Sequence, residues 1–135
     1  KCSFPTHQGY HLNKEALNIL ITAIKSGIDF FDTAQGYNEG RSEELLGKAI
    51  KQTSESIVVC TKIVLTDDEV KQQNLSSGFS ERVNESLRRL GTDRLDILLI
   101  HNPPDNINWK EFNNSTLIKL QKEGKIGTFG VSTRG

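Results

Sequence analysis

Short aliphatic and β-branched runs alternate with stretches of helical spacing along this chain, and that alternation restricts its fold more than any other feature. Strand-like runs begin near residues 28, 57, 95 and 127, with a helical pattern between each pair. The repeat is roughly 30 residues, the length of a βαβ unit. Consecutive parallel strands need a long crossover, so the pattern implies an α/β fold with a parallel sheet and helices outside it. Two architectures meet that description, an open doubly wound sheet and a closed (β/α)₈ barrel.

Taken in order, the first dozen residues show no period and read as a loop. Asn13 is placed to cap a helix carrying Leu17, Leu20, Ile21 and Ile24 on one face, and Gly27 ends it. Ile28 to Phe31 form a strand that stops at Asp32. A polar loop with Tyr37 follows, and Ser42, Glu43 and Glu44 signal a helix running to Lys51. Ile57 to Thr61 reads as a strand covered on both faces, closed by Lys62. Thr66 to Gly78 is a polar loop with room for a helical turn. Ser80 is expected to cap a helix with Val83, Leu87 and Leu90 inside and Gly91 at its end. The strand Asp96 to Ile100 ends at His101, and Pro103 and Pro104 keep the next segment extended. A helix over Trp109 to Glu123 carries Trp109, Phe112, Leu117 and Leu120 as its apolar positions; the strand Gly127 to Val131 then delivers Ser132 and Thr133.

Composition removes several function classes. With 17 basic and 17 acidic residues among 135, no excess charge is available for long-range binding of nucleic acid or an anionic membrane. No apolar run approaches the roughly 20 residues of a membrane span, and the start lacks the pattern of a signal peptide. Cys2 and Cys60 are too few for a disulfide framework and read as reduced thiols in a cytoplasmic protein. His7 and His11, separated by Gly9, lack the helix a metal pair would need, and Asp67, Asp68 and Glu69 read as a solvated face. The N-x-Ser/Thr matches at Asn74, Asn84, Asn113 and Asn114 read as chance, because nothing in the sequence signals secretion.

The non-core residues at strand ends carry the chemistry. Asp32, Lys62, His101 and Ser132 each follow the last apolar residue of a successive strand, and parallel strands bring those ends to one face. Barrel enzymes build their sites there. The first strand–helix turn, DTAQGYNEGRS, has neither the G-x-G-x-x-G nor the P-loop fingerprint, and no Gly-x-Ser-x-Gly elbow occurs. Asp, Tyr, Lys and His together suit proton delivery to a carbonyl oxygen. A phenol is a poor acid near neutrality unless a cation stands beside it, and Lys62 is the candidate for that cation next to Tyr37. Asp32 would hold Lys62, and His101 would orient the substrate carbonyl. No side chain can donate hydride, so a nicotinamide cofactor is implied.

At this point the chain resembles the aldo-keto reductase superfamily. GIDFFDTAQGYNEGRSEELLGKAI is similar to the family's first signature, Lys62 in VVCTKI matches its strand-borne lysine, His101 ends SLRRLGTDRLDILLIH, and LQKEGKIGTFGVS resembles its second signature. The resemblance covers about residues 13 to 133. It implies a (β/α)₈ TIM barrel and reversible, NADPH-dependent reduction of aldehydes or ketones without a metal. Tyr37 would be the general acid, Lys62 its cationic neighbour, Asp32 the partner of Lys62, and His101 the group that orients the substrate. Tyr37 and His101 would touch the substrate. Asp32, Ser132 and Thr133 would lie at the cofactor, with Thr133 standing where many members have Asn. The substrate would be a small carbonyl compound such as a sugar or other polar aldehyde. The alternative is the potassium-channel β-subunit branch, which keeps the tetrad and the cofactor but works through a protein partner.

A complete barrel of this kind needs about 250 residues. The chain is therefore expected to be a single partial domain, 1–135, of about four βα units, truncated at both ends and inactive alone; the sequence carries no signal for oligomeric state. Bare sheet edges and inward apolar residues such as Phe30, Val58 and Ile97 predict that a 135-residue product aggregates or associates. Size-exclusion chromatography and thermal unfolding test this, and a soluble monomer with cooperative unfolding would contradict it.

Overall fold

The computed structural model describes residues 9–72 and 74–134, with side chains described from residue 13 onward. Helix α1 spans Gly9–Lys25, strand β1 Phe30–Asp32, and a 3₁₀ turn Tyr37–Gly40 leads into α2, Arg41–Lys51. Strand β2 is Val58–Ile63, followed by the short α3, Asp67–Lys71, and α4, Ser76–Leu90. Strand β3 is Leu95–His101. A helical segment built from α5 (Trp109–Phe112), a π turn (Asn113–Leu117) and α6 (Ile118–Lys122) then leads to β4, Ile126–Ser132.

The four strands form one parallel sheet in the order β1-β2-β3-β4. That order never reverses, so there is no topological switch point of the doubly wound kind. Because crossovers between parallel strands are right-handed, winding always in one direction puts every helix on one face. The result is an arc of a (β/α)₈ barrel.

Residues on the helix-bearing face are deeply buried. Val59, Thr61, Ile63, Leu98 and Ile100 point into a core completed by Leu46, Phe79, Val83, Leu87, Leu90, Phe112, Leu117 and Leu120. Phe79 of α4 meets Phe112 of α5 edge-on, with ring centroids 5.1 Å apart, a favoured aromatic geometry. The opposite face carries no helix, and Phe30, Val58 and Val64 are 50%, 39% and 45% exposed there. Ile97 on the same face is half-buried.

Three helices end alike. Gly27 adopts φ +98°, its N–H bonds the Ile24 carbonyl at 3.0 Å, and the Ile28 N–H reaches the Ala23 carbonyl at 3.1 Å. This Schellman arrangement needs a left-handed residue, for which glycine pays no steric penalty. Gly91 and Gly124 repeat it after α4 and α6. Ile28 is thereby spent on the helix end, which is why β1 starts at Phe30 and not at Ile28.

Other boundaries differ from the sequence expectation. Helix α1 begins at Gly9, before Asn13, so the segment around Gly9 is helical and not a loop; His7 lies outside the described residues. Glycine is costly inside a helix but tolerated in a first turn, whose N–H groups lack intrahelical partners anyway. Helix α2 starts at Arg41, within one residue of the expected Ser42, after Gly40 at φ +87°, and α4 starts at Ser76, leaving Ser80, the expected cap, within the helix. The helical turn for which the Thr66 to Gly78 stretch had room is α3, started by a capping box: Thr66 Oγ1 accepts from Glu69 N at 3.3 Å, and Glu69 Oε2 accepts from Thr66 N at 2.9 Å. The expected continuous helix over Trp109 to Glu123 contains the π turn. Phe112 and Leu117 are five apart, too far round an α-helix to share a face, and the wider turn brings both into the core.

Helices α2 and α4 approach closely at Gly47, where a β-carbon would stand 2.6 Å from the Leu90 carbonyl oxygen. Replacing a helical glycine with alanine gains about 0.5–1 kcal/mol of propensity. Here the obstacle is backbone, and overpacking of this kind costs about 1–3 kcal/mol. Gly47→Ala should therefore lower Tm in thermal unfolding; a raised Tm would show that the two helices can part without loss.

Candidate active site

Strand register places the expected site residues on one face. Asp32 pairs with Cys60, and Lys62 lies two residues further along β2, on the same side by the period of a strand. Lys62 pairs with Leu99, two residues before His101, and His101 pairs with Ser132. All four side chains therefore share the helix-free face, at successive heights, as the shear of a barrel requires. Lys62 does not close β2 as expected. It lies inside the strand, with Ile63 after it, because Ile63 continues the buried alternation on the other face.

Lys62 is only 7% exposed. Its Nζ donates to both Asp32 carboxylate oxygens at 2.6 Å and to the Thr33 carbonyl at 2.9 Å. An ammonium has three hydrogens, so these three acceptors satisfy it fully. The Asp32 side chain, on an edge strand, remains 51% exposed.

Tyr37 enters from the turn after β1 and is half exposed. Lys62 Nζ stands over its ring, 5.4 Å from the centroid, within cation–π range. His101 meets the same ring edge-on, with centroids 6.3 Å apart and planes at 87°. Asp32, Tyr37, Lys62 and His101 thus form one cluster. Burial pulls the His101 pKa below its usual 6.5, the Lys62 and Arg134 charges add to that, and Asp32 opposes it.

Ser132 is half-buried and Thr133 exposed. The Ser132 carbonyl accepts from Asn102 N at 2.7 Å, which joins the ends of β3 and β4. Its hydroxyl stays on the His101 side, where it suits a donor–acceptor ligand such as a carboxamide.

Three residues at or behind the site, Cys60, Glu43 and Arg89, are given no role there by the sequence reading. Cys60, buried and free, shares the Asp32 row. Burial, with the Asp32 carboxylate adding, pushes its thiol up to about 11, so it stays protonated. The strand period, which puts Cys60 and Lys62 on one face, was the available signal. Behind the sheet, Glu43 is 0% exposed. It accepts from Thr61 Oγ1 and Arg89 Nε, each at 2.6 Å. Nothing local distinguishes Glu43 from an ordinary first-turn acid, and Arg89 lies far along the chain. Among the described residues, no group of three or more His, Cys, Asp or Glu side chains is arranged to hold a metal ion. None of their helices is long and apolar enough to cross a membrane.

Comparison with known proteins bears on this geometry. A family model described as the Aldo/keto reductase family matches residues 2–135. The chain belongs to the aldo/keto reductase family. It is 34% identical over 129 residues to the uncharacterized oxidoreductase YqkF of Bacillus subtilis (strain 168), covering 93% of this chain and 42% of that protein. It is 37% identical over 94 residues to a probable voltage-gated potassium channel subunit beta of Arabidopsis thaliana, covering 67% of this chain and 29% of that protein. Among solved structures, an aldo/keto reductase from Klebsiella pneumoniae in complex with NADP and acetate superposes with a TM-score of 0.78 at 29% identity. That match takes in 98% of this chain and 44% of the other. The chain thus spans less than half the length of these relatives.

The depressed His101 pKa has a consequence for stability. Between the folded value and 6.5 the unfolded chain binds more protons at this residue, so its contribution to stability is complete above 6.5 and falls as the pH drops through the folded value. An NMR titration of the imidazole, assigned with His101→Gln, should give a midpoint below 6.5. That variant should also flatten the acid side of the stability profile. A midpoint at or above 6.5 would contradict the burial argument.

Proposed function

We propose that the whole protein carrying this chain reduces an aldehyde or ketone to an alcohol, reversibly, with NADPH. The observation that carries this reading is the cluster itself: a phenol between a fully hydrogen-bonded ammonium and an imidazole, on the strand-end face where barrel enzymes work. Family membership and the NADP complex of the Klebsiella relative support it.

Tyr37 delivers its proton to the carbonyl oxygen as charge develops there. Lys62 lies close enough to the ring to stabilise the phenolate that forms, and Asp32 keeps Lys62 in place. His101, held toward its neutral form, orients the carbonyl by hydrogen bonding, as a neutral imidazole can near pH 7. Ser132 and Thr133 would hold the nicotinamide carboxamide from the end of β4, and Asp32 would face the cofactor from β1. When bound, NADPH supplies the hydride. The polar character of the cluster suits a small polar aldehyde, such as a sugar. A cytoplasmic setting fits the buried free thiol of Cys60.

A second reading follows from the potassium-channel β relative: a subunit that binds cofactor and acts through a protein partner. NADPH oxidation by the full-length protein against an aldehyde panel separates the two. Tyr37→Phe should lower turnover by about 10²–10⁴-fold, the usual contribution of a positioned acid. Turnover insensitive to that change would defeat the assignment of Tyr37, and cofactor binding without turnover on any substrate would favour the regulatory branch.

A further inference from the structure

The turn that carries Tyr37 is backbone-strained. Asn38 at φ 52°, Glu39 at φ 56° and Gly40 at φ 87° are three successive left-handed residues, two of them not glycine. Such a run persists only where its surroundings hold both ends. The incoming end is tied to β2: Thr33 N donates to the Cys60 carbonyl at 2.8 Å, and Gln35 N donates to the Lys62 carbonyl at 3.0 Å. The outgoing end is Gly40, which is buried.

What stands against Gly40 is Arg89 of α4. A β-carbon at Gly40 would lie 2.8 Å from Arg89 Cδ and 3.0 Å from Nε. Arg89 is itself fixed, because its Nε donates to Glu43 Oε2 at 2.6 Å and the other oxygen of that carboxylate accepts from Thr61 Oγ1 at 2.6 Å. Thr61 is the neighbour of Lys62 on β2. One buried carboxylate therefore references the Gly40 wall to the strand that carries the ammonium.

We infer that Arg89, anchored by Glu43, is a positioning residue for Tyr37: it holds Gly40 and the left-handed turn so that the phenol stays beside Lys62 and His101. It touches neither substrate nor cofactor. The inference rests on the proposed reductase activity for its kinetic consequence, but not for its structural one. Lysine at position 89 keeps the charge but has neither the Nε–H aimed at Glu43 nor the planar group against Gly40.

The test uses the full-length protein with Arg89→Lys and, should that variant fail to fold, Glu43→Gln, which keeps side-chain volume and weakens the anchor. Amide hydrogen exchange is read by peptide, and steady-state kinetics alongside it. The expected result is faster exchange confined to residues 37–41. It should come with a fall in kcat of about tenfold to a hundredfold, the scale of a misplaced catalytic group, while KM for NADPH stays within about twofold. Exchange over 37–41 equal to that of the parent, in a folded variant, overturns the inference. So does exchange that rises equally throughout α2 and α4, since that is general loosening. A parent without turnover defeats the reductase reading alone, and the exchange data still decide the role of Arg89.

Discussion

The ammonium of Lys62 is the constraint on which the site side of this sheet depends. A charge that is 7% exposed needs a partner for each of its hydrogens. It finds them in Asp32 and the Thr33 carbonyl, both on β1 or just past it. Strand β1 is three residues long and, among the described residues, pairs with β2 alone, so few backbone bonds hold it here. The ion pair supplements them, and it fixes the register in which Asp32 faces Cys60 and the DTAQGY loop leaves toward Tyr37.

On the other side of β2 a second ion pair does a different job. Glu43 and Arg89 connect α2, α4 and Thr61, among apolar core residues. Removing one partner of such a pair leaves an unpaired buried charge, at a cost of about 3–5 kcal/mol, whereas intact pairs often add little net stability. What the pair supplies is definition: it sets where α2 starts relative to β2, and hence where the preceding turn can lie. Successive residues Thr61 and Lys62 thus tie the helix layer and the site layer to one strand.

Period and punctuation made the fold legible. Alternation at the βαβ length, and glycines at 27, 91 and 124 that each close a helix, follow from local steric rules a sequence displays directly. The start of α4 was less legible: it follows Leu75 and not the expected Ser80, and Leu75 makes no side-chain cap bond that a sequence could display. The grouping of Asp32, Tyr37, Lys62 and His101 on one face could be read from strand ends and chain order. The Glu43–Arg89 pair could not, since a contact across 46 residues leaves no local trace. The strand period alone puts Cys60 on the site face, in the row of Asp32.

The saturation of Lys62 also limits how it can act on Tyr37. With its three hydrogens committed to Asp32 and Thr33, the ammonium is a fixed charge above the ring and not a hydrogen-bond donor to the phenol. Its influence depends on how much of that charge the paired carboxylate cancels. At His101 the Lys62 charge lowers the pKa and Asp32 raises it, with Lys62 the larger of the two. The net effect of the pair at His101 is therefore that of a positive charge. It adds to burial, the larger cause, in holding the imidazole toward its neutral form.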